Sequence, residues 1–192
     1  KGVHVLLESA KKLPDYDFFI AGKGAWEDTL KNIARGFNNI YFMGVIKNPL
    51  EFISKMDTMV VPSIREPLGN TVIESGYCKK PVIASNIDGI AEIIENGVNG
   101  ILIDPKNTLS FNKLPKGAVP IPKFVVNPKT QELDSPKEID SIKLCEFIVK
   151  LENNPKLREK YGENLYLTVK QKFCIEDYFE KLEKIYQKIL LN

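Results

Sequence analysis

The chain has 192 residues, 43% of them hydrophobic and 27% charged, the balance of one ordinary globular domain with a core large enough to be stable rather than of a disordered segment. Its 27 Lys and Arg nearly cancel its 25 Asp and Glu, so no global field favours nucleic acid and no nucleic-acid partner is expected. No apolar run reaches the roughly 20 residues of a membrane-spanning helix, and no signal peptide opens the chain.

The first stretch, KGVHVLLESAKKL, begins directly on a helix, with Val3, Leu6, Leu7, Ala10 and Leu13 at helical spacing. Residue 1 is lysine rather than methionine, which suggests a cut chain whose first strand, and a whole domain, lie upstream. DFFIAGKG reads as a strand closed by two glycines, followed by a helix from Trp26 to Arg35. NIYFMGVI, TMVVPS, PVIASN and NGILIDP read as further strands. PLEFISKM, NTVIESGYC and GIAEIIENG read as the helices between them. Short apolar strands alternating with helices predict an α/β fold: a Rossmann-like, three-layer parallel sheet, buried on both faces and joined by right-handed crossovers.

The rhythm stops at residues 106–134. There, LPKGAVPIPKFVVNPKTQELDSP contains five prolines and no helical period, and reads as an insertion. Phe124 to Val126 and Thr130 to Leu133 are expected to pair as a hairpin across a type I turn in NPKT. Ser135, with Glu138, predicts a capping box for a helix running to about Glu152, and Asn154 with Pro155 predicts a second helix to about Val169. The last stretch, EDYFEKLEKIYQKILL, puts Tyr178, Phe179, Leu182, Ile185, Tyr186 and Ile189 on one stripe, expected to cover the domain's own core. Cys78, Cys145 and Cys174 are far apart and form no CxxC pair, which argues against disulfides and zinc and for a reducing cytoplasm.

In a parallel α/β sheet, ligands bind beyond the carboxyl ends of the strands. Lys1, Gly22 to Gly24, Gly44 to Ile46, Ser63 to Asn70 and Asn86 to Ile90 all fall on that edge. In REPLGNTVIES, Glu66 reads as part of a turn and the next helix starts near Gly69. The amides of Leu68, Gly69 and Asn70 then face the crevice, with Gly69 admitting a ligand close to the backbone and Glu74 about one turn further on. Free amides suit phosphate or sugar oxygens, and carboxylates suit vicinal hydroxyls. A nucleotide sugar carries both.

These residues resemble the paired-glutamate motif of the retaining GT-B glycosyltransferases of family four, and the order of segments along the chain is similar to the C-terminal, donor-binding domain of that family. The resemblance covers the chain except its insertion. It implies the donor half of an enzyme that moves a sugar from a nucleoside diphosphate to a glycan or lipid-linked acceptor with retained configuration, without a metal or other cofactor. The acceptor would be held by the upstream domain, and the product would be a glycoconjugate such as surface polysaccharide or lipopolysaccharide. The setting would be cytoplasmic, at or near the inner face of the membrane. It further implies roles residue by residue. Lys1 contacts the diphosphate, Gly24 belongs to the phosphate-side loop and Ile46 meets the base. Glu66 lies at the reacting centre, the backbone at Leu68, Gly69 and Asn70 holds sugar and phosphate, Glu74 takes the ribose hydroxyls, and Gly89 lies in a further phosphate loop. The chain departs from the family pattern at Lys79 and Asp88, where glycine is usual, and at Ala91, where proline is usual.

Several features carry less. GKGAWE lacks the third glycine of a dinucleotide loop. Asp15 and Asp17, in DYD, precede their strand and read as solvated loop. His4 is expected at the surface and Trp26 in packing. Lys106, Lys113, Lys116, Lys123, Lys129 and Lys137 of the insertion allow contact with an anionic lipid surface, although a solvated ornament is the favoured reading. A noncatalytic nucleotide-sugar sensor and a sugar-nucleotide epimerase of the same architecture are the alternatives.

Overall fold

The computed structural model describes residues 1–111 and 114–190; Lys113 of the lysine-rich insertion lies outside them. Five parallel strands follow the predicted rhythm: β1 (Phe18–Ala21), β2 (Ile40–Gly44), β3 (Met59–Val61), β4 (Val82–Ser85) and β5 (Ile101–Ile103). Helices α1 (Val3–Ala10), α2 (Glu27–Ile33), α3 (Pro49–Ser54), α4 (Asn70–Tyr77) and α5 (Ile90–Ile93) lie among them in the chain. The strands form two ladders instead of one sheet. One pairs β1 with β2, starting at Phe18 opposite Ile40; the other has the order β3-β4-β5, with Val60 opposite Ile83 and Ile83 opposite Ile101. Between the facing edges of β1 and β3 runs an open hollow of about 850 Å³.

The three-layer arrangement follows from side-chain alternation along β4, all four residues of which are buried. Ile83 joins Val5 and Ala10 of α1 and Leu144, Ile148 and Leu151 of α6 (Ser141–Glu152). Val82 and Ala84 point the other way, to Val72 of α4, Ile90 and Ile93 of α5, and Leu165 and Val169 of α7 (Pro155–Lys172). The expectation of burial on both faces fails for β1 and β2. Phe19, Tyr41 and Met43 are exposed there, because α2 buries none of its residues and leaves that face open.

Helices α4 and α7 meet where both carry glycine. A methyl on Gly76 would lie 2.6 Å from Val169 Cγ2, and one on Gly162 would lie 2.0 Å from the backbone oxygen of Lys79. Lys79 belongs to the Schellman turn that ends α4, in which its amide donates to the Gly76 oxygen and the Lys80 amide to the Ser75 oxygen. Lys79 takes the left-handed conformation usually given to glycine, at φ 55°, and its ammonium pairs with Glu163 of α7 at 2.8 Å. Gly162→Ala, a gain of about 1 kcal/mol in an isolated helix, is therefore expected to destabilise the chain by about 1–3 kcal/mol through this clash. A thermal melt that rises instead would contradict the close helix crossing.

Four predicted elements differ. GIAEIIENG makes a single turn, α5, because the Asn99 side chain accepts the Glu95 amide at 2.8 Å and donates to the Ile93 oxygen at 3.1 Å, satisfying groups a longer helix would have paired. Helix α6 starts at Ser141, not near Ser135. Asp140 caps it, accepting from the amides of Ile142 and Lys143, while Glu138 is engaged by His4 and cannot close the expected box. The predicted hairpin forms as β6 (Val125–Val126) and β7 (Leu133–Asp134), but it closes from the Gln131 amide to the Asn127 oxygen at 2.8 Å, one residue wider than a type I turn. The final helix, α8 (Ile175–Leu190), buries no residue, and Tyr178, Phe179, Ile185, Tyr186 and Ile189 stand exposed. It does not cover the domain's core, since Leu165 and Val169 of α7 already close that face.

Candidate functional site

The site is built where β3 leaves the sheet. Gly2, at φ 71°, lies so close to the end of β3 that a Cβ there would be 1.8 Å from the Pro62 oxygen. Only glycine fits that contact, and it brings Lys1 onto the turn that follows β3. The Lys1 ammonium bonds the carboxylate of Glu66, which also accepts from Ser63 Oγ at 3.2 Å. Glu66 is buried, whereas the Lys1 side chain is 65% exposed. The backbone of Glu66 is held from behind. Its amide donates to Asp88 Oδ2 at 3.0 Å and its carbonyl accepts from the Gly89 amide at 3.3 Å.

Helix α4 then begins from Gly69, at φ 99°. The amides of Val72 and Ile73 return to the Gly69 oxygen, which leaves those of Asn70 and Thr71 in the orphan positions of a helix start. Such amides and the helix dipole attract anions. Lys1, Ile46, Glu66, Thr71 and Glu74 line one hollow, the upper part of the space between β1 and β3. An ammonium, two carboxylates and a helix start therefore share one mouth at the carboxyl edge, a set that can hold a diphosphate and hydroxyl groups together.

The remaining predicted residues lie elsewhere. Gly22 lines the hollow, while Gly24 is an exposed loop residue with open space about it. Leu68 and Asn70 are exposed beside the mouth. Gly69 is buried, and a Cβ there would point toward α5, 3.3 Å from Ile93 Cδ1. Gly89 sits behind the turn, where a Cβ would be 2.2 Å from the Pro67 oxygen. It supports Glu66 without lining the cavity.

His4 is not at the surface. It is buried, with Nε2 2.7 Å from Glu138 Oε2, and its ring lies 5.2 Å from Phe111. Ser110 also donates to that carboxylate, so the insertion is tied to the helix that carries Lys1. Trp26 packs as expected, 4.5 Å from Phe111. Asp15 and Asp17 are exposed ahead of β1, and among the described residues no group of three or more His, Cys, Asp or Glu is placed to hold a metal. Burial pushes the thiol of Cys78 up, which favours its neutral form. Sequence reading missed Gly2 and Thr71, and it placed Ser63 and Asp88 on the edge without giving them a contact. The only available signals were a glycine just ahead of a helix and an Asp-Gly pair just after a strand.

The chain folds as parallel strands with helices on both faces and a polar mouth at their carboxyl edge, and solved glycosyltransferase structures of the GT-B fold superimpose on it. The chain belongs to the glycosyl transferases group 1 family, whose model matches residues 1–115. An uncharacterized glycosyltransferase of Methanocaldococcus jannaschii is 27% identical over 98% of this chain and 45% of its own length. The capsular polysaccharide biosynthesis glycosyltransferase CapM of Staphylococcus aureus is 25% identical over 99% of this chain and 43% of its own. The crystal structure of Anabaena HepE in complex with UDP and glucose superimposes with a TM-score of 0.73 at 18% identity, covering 98% of this chain and 45% of that one. The chain thus spans a little under half the length of these relatives.

Proposed function

We propose that residues 1–192 form the nucleotide-sugar binding half of a retaining glycosyltransferase that builds a cell-surface glycoconjugate. The observation that carries this reading is the convergence of Lys1, Glu66 and Glu74 with the first turn of α4 on one hollow. Lys1 and the amides of Asn70 and Thr71 hold the diphosphate and stabilise the charge that grows on it as the anomeric C–O bond breaks, a preorganised effect often worth several kcal/mol. With those groups present, no metal is needed. Glu74 takes the ribose hydroxyls and Glu66 faces the sugar. The acceptor hydroxyl attacks an oxocarbenium-like centre from the side of the departing phosphate. HepE, whose structure holds UDP and glucose, supports the ligand class.

The reacting centre lies between this half and an upstream domain that holds the acceptor. The hollow between β1 and β3 receives a further parallel strand from the segment ahead of Lys1. On this reading, residues 1–192 alone bind nucleotide weakly and transfer nothing. The test is the full-length protein supplied with UDP-glucose, UDP-N-acetylglucosamine or GDP-mannose and a cell-envelope glycolipid extract. Release of nucleoside diphosphate and a product with the donor's anomeric configuration are expected. An inverted product, an isomerised donor with no acceptor present, or saturable binding without turnover would each reject the reading.

A further inference from the structure

We propose that Asp88 is a positioning residue for the transfer reaction and that, through it, the insertion hairpin sets where Glu66 stands; this rests on the role of Glu66 given above. Asp88 uses both carboxylate oxygens on backbone amides of two different loops. Oδ2 accepts from Glu66 at 3.0 Å, and Oδ1 accepts from Val126 of β6 at 2.7 Å. Its own amide donates to the Val126 oxygen at 3.1 Å, closing a reciprocal pair with the hairpin. The next residue, Gly89, donates to the Glu66 carbonyl, so both peptide groups of Glu66 are held by residues 88 and 89.

Asp88 is left-handed, at φ 45°. Glycine would take that conformation with less strain, so a residue needed only to turn the chain would gain from being glycine. What aspartate adds is a pair of charge-assisted acceptors, and these are spent on the turn of the catalytic glutamate and on the insertion. The hairpin is anchored at its other face, since Val125 is buried among Val72, Ile87 and Ile90. The hairpin therefore locates the Glu66 peptide through one side chain. Most of the other described residues of the insertion are exposed, as the solvated reading expects.

The test uses the full-length protein with UDP-glucose, or whichever nucleotide sugar it turns over, and compares Asp88→Gly, Asp88→Asn and Val126→Pro. Asp88→Gly relieves strain but deletes both acceptors. It is expected to melt modestly lower than the wild type, to hold UDP within about twofold, and to lose about 10- to 100-fold in kcat. Asparagine keeps one acceptor and should fall between. Val126→Pro removes the donor to Oδ1 at a residue that does not line the hollow, and should also lower kcat with KM little changed. Amide exchange at Glu66 and Val126 should speed up about tenfold or more in Asp88→Gly. Full kcat in Asp88→Gly, unchanged exchange at Glu66, or a loss of UDP affinity matching the loss of kcat would overturn the proposal. The exchange measurement needs no turnover. An inactive wild type would therefore sink the functional reading while the exchange result still decides whether Asp88 holds the turn.

Discussion

Glu66→Ala in the full-length protein is expected to lower sugar transfer about 100- to 1000-fold, the range seen when a preorganised group at a reacting centre is deleted, with thermal stability nearly unchanged. Two features of the site set this expectation. The partner lost by Lys1 is no great cost, because that side chain is 65% exposed and its ammonium returns to water. The backbone of the turn stays in place, since its amide and carbonyl are held by Asp88 and Gly89 and not by the Glu66 side chain. A fall in activity with an intact melt therefore separates chemistry from folding. Glu74→Ala, one turn into α4, should instead raise the KM for the donor more than it lowers kcat. Normal turnover by Glu66→Ala would favour a different catalytic set, and a wild type that binds nucleotide sugar without transfer would favour the sensor.

The second large effect concerns the gap in the sheet. The amides of Phe18 and Gly22 bond to β2, at 2.8 and 2.7 Å, so by the alternation of a strand those of Phe19 and Ala21 point to the hollow. On the other side the Met59 amide bonds toward β4 at 2.9 Å, and that of Val60 points to the hollow in turn. Val3 and Leu6 of α1, Ile148 of α6, and Phe52 and Ile53 of α3 also line the space. A strand there would pair with both edges and meet apolar side chains on both faces. Lys1 lies at the carboxyl edge and α1 follows it at once, so on the proposed reading a right-handed crossover into β1 would place a strand ahead of Lys1 beside β1.

A strand of about five aliphatic residues there gains about 1.5–3 kcal/mol per buried side chain against about 1–2 kcal/mol per ordered residue, with ladder hydrogen bonds in addition. Residues 1–192 extended by their natural upstream segment should melt about 10 °C higher than residues 1–192 alone, on the usual scaling for a domain of this size. An aspartate in the middle of that segment should cancel the gain. An unchanged melt in the extended chain would reject the strand and leave the hollow wholly to ligand.

Much of this protein is written in local patterns. The period-2 and period-3.6 runs determined five strands and their helices, because each segment can bury an apolar face only in the matching conformation. The caps at Asn154 and Gly69 and the hairpin at Val125 follow from residues a few positions apart. The motif around Glu66 and Glu74 marked the carboxyl edge as the site, because the topology of parallel strands puts every such loop there.

What distant segments do to one another was decided only in three dimensions. Glu138 pairs with His4 across the chain, so the cap of α6 moved to Asp140, five residues beyond the predicted Ser135. Gly89 is a glycine the pattern expects, but its contact is with the Pro67 backbone behind the turn. Gly2 brings Lys1 to Glu66, and Asp88 ties Glu66 to the hairpin, because contacts between residues 65 and 38 positions apart leave no periodic trace in the sequence. Sequence named two acids that line the hollow; only packing and long-range hydrogen bonds decided what holds Glu66 still.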